Sequence, residues 1–154
     1  MLVCLATKPL WQLEDREIET AANAYGSLKD KTGARRVRGG NKREVHIGPT
    51  AASKILFAIR PQALMPWDEA MRAAFKCDGS PESYFEYLIE IRDLTLRIVE
   101  LCRSKSFQID DLPYKLGRPN STVLALVNEY IWVTETRKVE LPSSETLTQW
   151  ASLD

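Results

Sequence analysis

Residues 80–104 read SPESYFEYLIEIRDLTLRIVELCRS, and this stretch decides the fold class of the chain. Ser80 is a typical helix N-cap, and Pro81 fits the first helical position because its missing N–H is not needed there. Apolar side chains then recur at helical spacing, and they are Tyr84, Tyr87, Leu88, Ile91, Leu94, Ile98 and Leu101. The pattern predicts a long central helix whose apolar face forms the core.

Shorter helices are predicted on both sides of this central helix. Apolar spacing and capping residues predict helices at 13–28, from Gly48-Pro49 to Arg60, from the N-cap Asp68 through Phe75 until Asp78-Gly79 ends it, from Asn120 or Ser121 to Ile131, and after Pro142. The expected buried stripe of the helix after Gly48-Pro49 is Ala51, Ala52, Ile55, Leu56 and Ile59. The β-branched stretch 131–139 fits either a helix or a strand. We therefore expect an all-α, mainly helical fold, with residues 1–154 forming one compact domain.

Composition excludes several functional classes. A length of 154 residues with 44% apolar and 27% charged residues is ordinary for one globular domain. The three cysteines are far apart and form no CxxC pair, which predicts a reducing compartment and excludes zinc fingers and four-cysteine iron–sulfur clusters. The apolar opening 1–6 lacks a basic leader, and no run reaches the roughly 18 residues of a membrane span. We expect a cytoplasmic protein without a membrane partner.

Basic residues are concentrated in one segment although the net charge is zero. Residues 29–43 read KDKTGARRVRGGNKR, with seven basic residues and one acid, so the segment carries +6 and the remainder −6. Three glycines and the lack of apolar periodicity predict a loop or flexible arm. Such charge segregation is typical of a surface that binds nucleic acid. A solvated basic loop would give the same pattern.

The most specific motif lies in 44–76. This segment contains Ile47-Gly48-Pro49-Thr50-Ala51 and, twenty residues after Gly48, Pro66-Trp67-Asp68. It resembles the helix-hairpin-helix superfamily of DNA glycosylases, in which a Gly-hydrophobic-Gly turn and a helix beginning with Thr-Ala precede a Pro-hydrophobic-Asp catalytic turn. His46 stands where that family has its first hairpin glycine, and the N-terminal part is short for the family. The resemblance is therefore to a reduced and divergent member.

The resemblance implies a monofunctional DNA glycosylase that leaves an abasic site. Asp68 is then the catalytic carboxylate, which stabilises positive charge on the sugar and orients or deprotonates the attacking water. Thr50 stands where relatives that also cut the backbone have a lysine, so no strand-cleaving lyase activity is expected. An aspartate before a helix is also an ordinary N-cap, and that interpretation of Asp68 stays open.

Double-stranded DNA is the expected partner, and we expect a monomer associated with the nucleoid. The residues expected to contact DNA are Arg35, Arg36, Arg38, Lys42, Arg43, His46, Gly48, Thr50 and Lys54. The candidates for stacking on an extruded base are Trp67, Tyr84 and Trp132. No metal or cofactor is expected, apart from the monovalent cation that the family resemblance allows at the hairpin.

Other chemistry finds no support in the sequence. His46 is the only histidine, and no HExxH motif, nucleophile elbow or Walker loop is present. The excised base is left open between damaged bases and a hypermodified base of phage DNA. Two alternatives to an enzyme also stay open. One is a non-enzymatic DNA-binding module that uses the hairpin and the basic arm, and the other is a helical protein-interaction domain.

Overall fold

The computed structural model describes residues 8–38 and 41–151, most of which are helical. The α-helices are α1 (Asp15–Lys29), α2 (Gly48–Ile59), α3 (Glu69–Ala74), α4 (Pro81–Ser104), α5 (Leu112–Lys115), α6 (Val123–Ile131) and α7 (Ser144–Ala151). Short 3-10 turns form at Leu10–Gln12 and Ile109–Asp111, and a π-helix forms at Trp132–Thr136. A β-hairpin of β1 (Thr32–Arg38) and β2 (Asn41–His46) joins α1 to α2. The mainly helical prediction is confirmed, and the apolar opening 1–6 lies outside the described residues.

The central helix α4 begins where its sequence predicts. The Ser83 N–H donates to Ser80 Oγ at 3.1 Å, which caps the helix. Its buried face differs from the prediction in the second half, where Thr95, Val99 and Cys102 are buried while Leu101 is 60% exposed. The helical period determines which residues face the core even where a more hydrophobic residue stands beside them. The Thr95 hydroxyl donates to the Ile91 carbonyl at 2.7 Å, so it is satisfied in the core.

Four aromatic rings form the centre of the core. Tyr25 of α1 stacks on Tyr84 of α4 with ring centroids 4.3 Å apart, and Trp67 lies edge-on to Tyr84 at 4.9 Å. Tyr87, one turn further along α4, lies 5.2 Å from Trp67. These centroid distances are in the range that aromatic pairs favour. The cluster therefore joins α1, α4 and the segment before α3.

Helices α1 and α2 complete the core beside α4. Helix α1 continues past Gly26 to Lys29, and a Cβ atom at Gly26 would lie 2.6 Å from Cγ of Pro81. The glycine therefore allows α1 to approach the start of α4. On α2 the buried residues are Ala52, Ser53 and Leu56. The prediction that Ala51, Ile55 and Ile59 face the core is wrong, because the helix turns these side chains outward.

The basic segment is a β-hairpin and not the predicted loop. Its antiparallel register pairs Ala34 with Val45, Arg35 with Glu44, Arg36 with Arg43, Val37 with Lys42, and Arg38 with Asn41, after an irregularity between Thr32 and Ala34. Val37 is 66% exposed, so this ribbon buries no apolar face in the core. A strand without a buried face lacks the alternating pattern by which strands are recognised in a sequence.

Two further details differ near the C-terminal part. Thr122, and not Asn120 or Ser121, caps α6, since its Oγ1 accepts the Ala125 N–H at 3.1 Å. The stretch 131–139, which fitted either a helix or a strand, is helical as far as Thr136, because Ile131 ends α6 and the π-helix follows at Trp132–Thr136. Within the described ranges, no helix combines the length and the apolar character that crossing a membrane requires.

Candidate functional site

The segment before Asp68 lies against the first turn of α2. The Trp67 N–H donates to Ser53 Oγ at 3.2 Å, and the Ser53 hydroxyl lies 3.3 Å from the Trp67 carbonyl. The indole Nε1 of Trp67 donates to the Pro49 carbonyl at 3.3 Å. These contacts place Asp68 beside the N-terminus of α2. The two parts of the sequence motif are therefore neighbours in space.

Helix α4 holds the same segment from the other side. The Tyr84 hydroxyl donates to the Met65 carbonyl at 2.8 Å, and the Tyr87 hydroxyl donates to the Pro66 carbonyl at 3.1 Å. Burial raises the pKa of both tyrosines well above the ordinary value, so both stay protonated donors. The backbone leading to Asp68 is thus fixed between α2 and α4.

The Asp68 carboxylate is half-buried, and both of its oxygens accept a hydrogen bond. Oδ1 accepts the Met71 N–H at 2.8 Å, which caps α3, and Oδ2 accepts the Thr136 hydroxyl of the π-helix at 2.9 Å. Each carboxylate oxygen has a second acceptor position. The carboxylate therefore has a fixed orientation, and each oxygen keeps one acceptor position beyond the hydrogen bond that it makes.

Arg72 joins the site to α2, and the sequence analysis missed it. Its Nη1 donates to the Thr50 hydroxyl at 2.9 Å, and its guanidinium carbon lies 5.8 Å from the centroid of the Trp67 ring. The signal available in the sequence was its position, one helical turn after Asp68 on the same helix. The Thr50 hydroxyl thus already accepts a hydrogen bond from a side chain of the protein itself.

Two of the three candidates for base stacking are wrong. Trp67 is 1% exposed and Tyr84 is 0% exposed, so neither ring presents a face to a ligand without opening the core. Trp132 is 39% exposed and begins the π-helix whose last residue, Thr136, contacts Asp68. The guanidinium of Arg137 lies 5.4 Å from the centroid of the Trp132 ring. Trp132 is therefore the candidate whose ring remains accessible.

The region just before α2 has a strand where the resembled family has a helix. Strand β2 ends at His46, and Gly48 begins α2 with φ of +76°, a conformation that glycine adopts readily. The His46 Nδ1 donates to the Asp30 carbonyl at 2.9 Å, which ties β2 to the end of α1. Along the sequence the whole β-hairpin therefore lies between α1 and α2, although the two helices are neighbours in the core. Lys54 is exposed on the second turn of α2.

Four basic residues of the hairpin, Arg35, Arg36, Lys42 and Arg43, are exposed but not equivalent. Arg35 pairs with Glu44, with Nε 3.3 Å from Oε1, whereas Arg36 and Arg43 lie opposite each other across the strands. Lys42 is exposed, and Arg38 is placed only by its backbone register with Asn41. The hairpin therefore presents a surface on which some arginines are neutralised within the protein and others are not.

Asp68 lines none of five surface cavities formed by the described residues. One cavity, of about 550 Å³, lies between α4 and α6 beside Phe75, just after the end of α3. Another, of about 390 Å³, lies on the hairpin. No group of three or more His, Cys, Asp or Glu side chains within the described part of the chain is arranged to hold a metal ion.

Comparison of the chain with protein-family models, with curated proteins and with solved structures finds no match. A functional assignment therefore depends on the residues and geometry described above.

Proposed function

We propose that the protein is a monofunctional DNA glycosylase, which hydrolyses the N-glycosidic bond of a damaged or modified base in double-stranded DNA. One observation carries this proposal. The half-buried Asp68 carboxylate is held by Met71 and Thr136 in one orientation, beside the first turn of α2. An oriented carboxylate that keeps free acceptor positions is what stabilising a developing sugar cation requires.

The proposed reaction uses water alone as co-substrate. Water attacks C1′ of the sugar while the bond from C1′ to the base nitrogen breaks and its electron pair leaves with the base. Asp68 stabilises the positive charge on the sugar and accepts a proton from the attacking water, and the leaving base takes up a proton. Thr50 supplies no amine for a Schiff base, so the product is an abasic site.

Binding to DNA is assigned to the hairpin and the adjoining part of α2. The exposed basic residues of the hairpin neutralise phosphates, and Lys54 adds a positive charge on the α2 side. The target nucleotide must leave the duplex before Asp68 reaches its sugar, and Trp132 is the exposed aromatic residue available for stacking. We propose that a monomer carries out this reaction in the cytoplasm, on nucleoid or invading phage DNA.

Substitution of Asp68 by asparagine tests the proposal with little damage to the fold. In Asp68→Asn the amide oxygen still accepts the Met71 N–H, and the amide nitrogen is able to donate to Thr136 Oγ1. Duplexes that each carry one abnormal base are incubated with the protein and then treated with alkali, which cuts at abasic sites. We expect cutting with the parent protein and a loss of about 100-fold or more in rate with Asp68→Asn.

Glu69→Gln is the matched control, because it removes the same charge from an exposed neighbour in the first turn of α3. It should retain the parent rate. Cutting that is equally fast with Asp68→Asn would rule out Asp68 as the catalytic carboxylate.

A non-enzymatic DNA-binding module is the second candidate. Two observations favour it. Both Asp68 oxygens accept hydrogen bonds from other parts of the protein, and Asp68 lines none of the five cavities. This candidate predicts DNA binding that weakens steeply with salt, equal binding by Asp68→Asn, and no abasic product from any duplex.

A further inference from the structure

The antiparallel register divides the side chains of the β-hairpin between two faces. Residues directly opposite each other share a face, and successive residues along a strand alternate between faces. One face therefore carries the Arg36–Arg43 pair next to the Ala34–Val45 pair, and the other carries the Arg35–Glu44 pair next to the Val37–Lys42 pair. We name these the Arg36/Arg43 face and the Arg35/Glu44 face.

The Arg35/Glu44 face is largely neutralised within the hairpin. The Arg35 guanidinium lies 3.3 Å from the Glu44 carboxylate, and the Thr32 hydroxyl donates to the other carboxylate oxygen at 3.2 Å. Both oxygens of Glu44 are thus engaged on this face. Lys42 is the positive charge that remains there.

The Arg36/Arg43 face has the opposite character. Like charges directly opposite each other in an antiparallel pair destabilise the ribbon, because their Cβ atoms lie only about 5 Å apart. Within 8–38 and 41–151 no ion pair is found for either arginine, so their repulsion is not relieved inside the protein. Both arginines line a cavity of about 390 Å³, whose other lining residues are Glu44, Val45 and His46. Glu44 is already paired with Arg35 and bonded by Thr32, so it does not neutralise the two arginines. An oxyanion placed between them would relieve the repulsion and accept charge-assisted hydrogen bonds.

The shape of the hairpin favours duplex DNA as the source of that oxyanion. The major groove of B-form DNA admits a two-stranded β-ribbon, whereas the major groove of duplex RNA is too narrow for side chains to read. The hairpin is a two-stranded ribbon, and all residues in 35–37 and 42–44 are exposed. It is therefore the kind of element that the major groove of duplex DNA admits.

We propose that the protein docks on duplex DNA through the Arg36/Arg43 face, with phosphate oxygens bound between these two arginines, and that the Arg35/Glu44 face points away from the DNA. The inference rests on the duplex DNA substrate of the proposed function. It does not depend on the reaction assigned to Asp68. It removes Arg35 from the residues expected to contact DNA, since Arg35 pairs with Glu44 and is not proposed to bind phosphate.

Three substitutions with the same change of charge test this assignment. The affinity of Arg36→Gln, Arg43→Gln and Arg35→Gln for duplex DNA is measured over a range of salt concentrations. At about 0.1 M monovalent salt, loss of one phosphate contact lowers affinity by about eightfold and reduces the slope of log K against log salt by about 0.9. We expect this from Arg36→Gln and Arg43→Gln, and a change of less than about twofold from Arg35→Gln. An equal loss from all three variants would overturn the assignment of faces.

Thermal unfolding without DNA distinguishes lost contacts from lost structure. Removing one member of the Arg36–Arg43 pair relieves a repulsion, so we expect an unchanged or higher midpoint in both variants. A lower midpoint in those variants would contradict the repulsive pairing. Duplex RNA and single-stranded DNA serve as competitors, and either one binding as tightly as duplex DNA would overturn groove docking.

Catalysis by Asp68 and docking through the Arg36/Arg43 face are tested by separate outcomes. If no duplex yields abasic product while Arg36→Gln and Arg43→Gln lose affinity as expected, the docking face is supported and catalysis by Asp68 is excluded. If abasic product forms and all three hairpin variants bind DNA like the parent, the glycosylase activity is supported and the docking face is excluded.

Discussion

Alkaline pH should destabilise this protein through three buried tyrosines. Tyr25, Tyr84 and Tyr87 are each no more than 1% exposed, and each hydroxyl donates to a backbone carbonyl. Burial raises the pKa of Tyr25 to about 12 and raises the pKa of Tyr84 and Tyr87 well above the ordinary value. An ionised oxygen at any of these positions would be desolvated and would face a carbonyl oxygen. The folded state therefore keeps all three protons where the unfolded chain loses them.

The size of the effect follows from proton linkage. An unfolded tyrosine ionises at about pH 10, and the folded state binds more protons above that pH, so the free energy of unfolding falls as pH rises. The stability from these groups is complete below about pH 10 and is lost progressively above it. Each tyrosine contributes a slope of about 1.4 kcal/mol per pH unit, and three contribute about 4 kcal/mol per unit. The free energy of unfolding of a domain is about 5–15 kcal/mol in total. Most of that stability should therefore be lost by about pH 12.

Urea unfolding at a series of pH values measures this slope. Tyr87→Phe is the informative variant, because the ring stays in the core while the titrating hydroxyl is removed. Near neutral pH it should lose about 1 kcal/mol for the hydrogen bond to the Pro66 carbonyl. Above about pH 10 its slope should be about one third smaller than that of the parent. An identical slope in parent and variant would refute the argument, because lysines also titrate in this range and would then be the cause.

Two further substitutions test the packing around the site. Gly26→Ala places a methyl group against the Pro81 ring, and a clash of about 1–3 kcal/mol outweighs a gain in helix propensity of up to about 1 kcal/mol. The thermal midpoint should fall by about 4 °C, and an unchanged midpoint would show that α1 is free to move away from α4. Thr136→Val removes the hydroxyl that donates to Asp68, so we expect a loss of about 1 kcal/mol in urea unfolding. Thr134→Val is its control, since that hydroxyl bonds only within its own helical stretch, and an equal loss there would contradict the role given to Thr136.

The positions of the helices could be predicted from the sequence because helix formation depends on neighbours a few residues apart. Ser80 and Pro81 specify the start of α4, Arg60-Pro61 specifies the end of α2, and Asp68 specifies the start of α3. Each signal is local: Ser80 and Asp68 accept an N–H of the first helical turn, and Pro61 disfavours the helical conformation of Arg60. These elements were therefore predicted correctly.

The β-hairpin and the faces of the helices required the tertiary structure. A strand pair that buries no apolar face has no alternating pattern, so 29–43 looked like a loop. The exposed side of α2 was also assigned wrongly, since Ile55 is as hydrophobic as the buried Leu56 beside it. Which of two adjacent apolar residues faces the core depends on where α1 and α4 lie, and their positions are not local information.

For the candidate site too, one part could be predicted from the sequence and another part required the tertiary structure. The sequence by itself determined the motif that ends in Asp68 and its spacing from Gly48, because both lie within one short segment. Only the tertiary structure decided that Trp67 belongs to the core and that Thr136 reaches the Asp68 carboxylate from the far end of the chain. An aromatic residue is equally hydrophobic in a core and in a binding pocket, and a contact between distant residues is created by packing that no local pattern encodes.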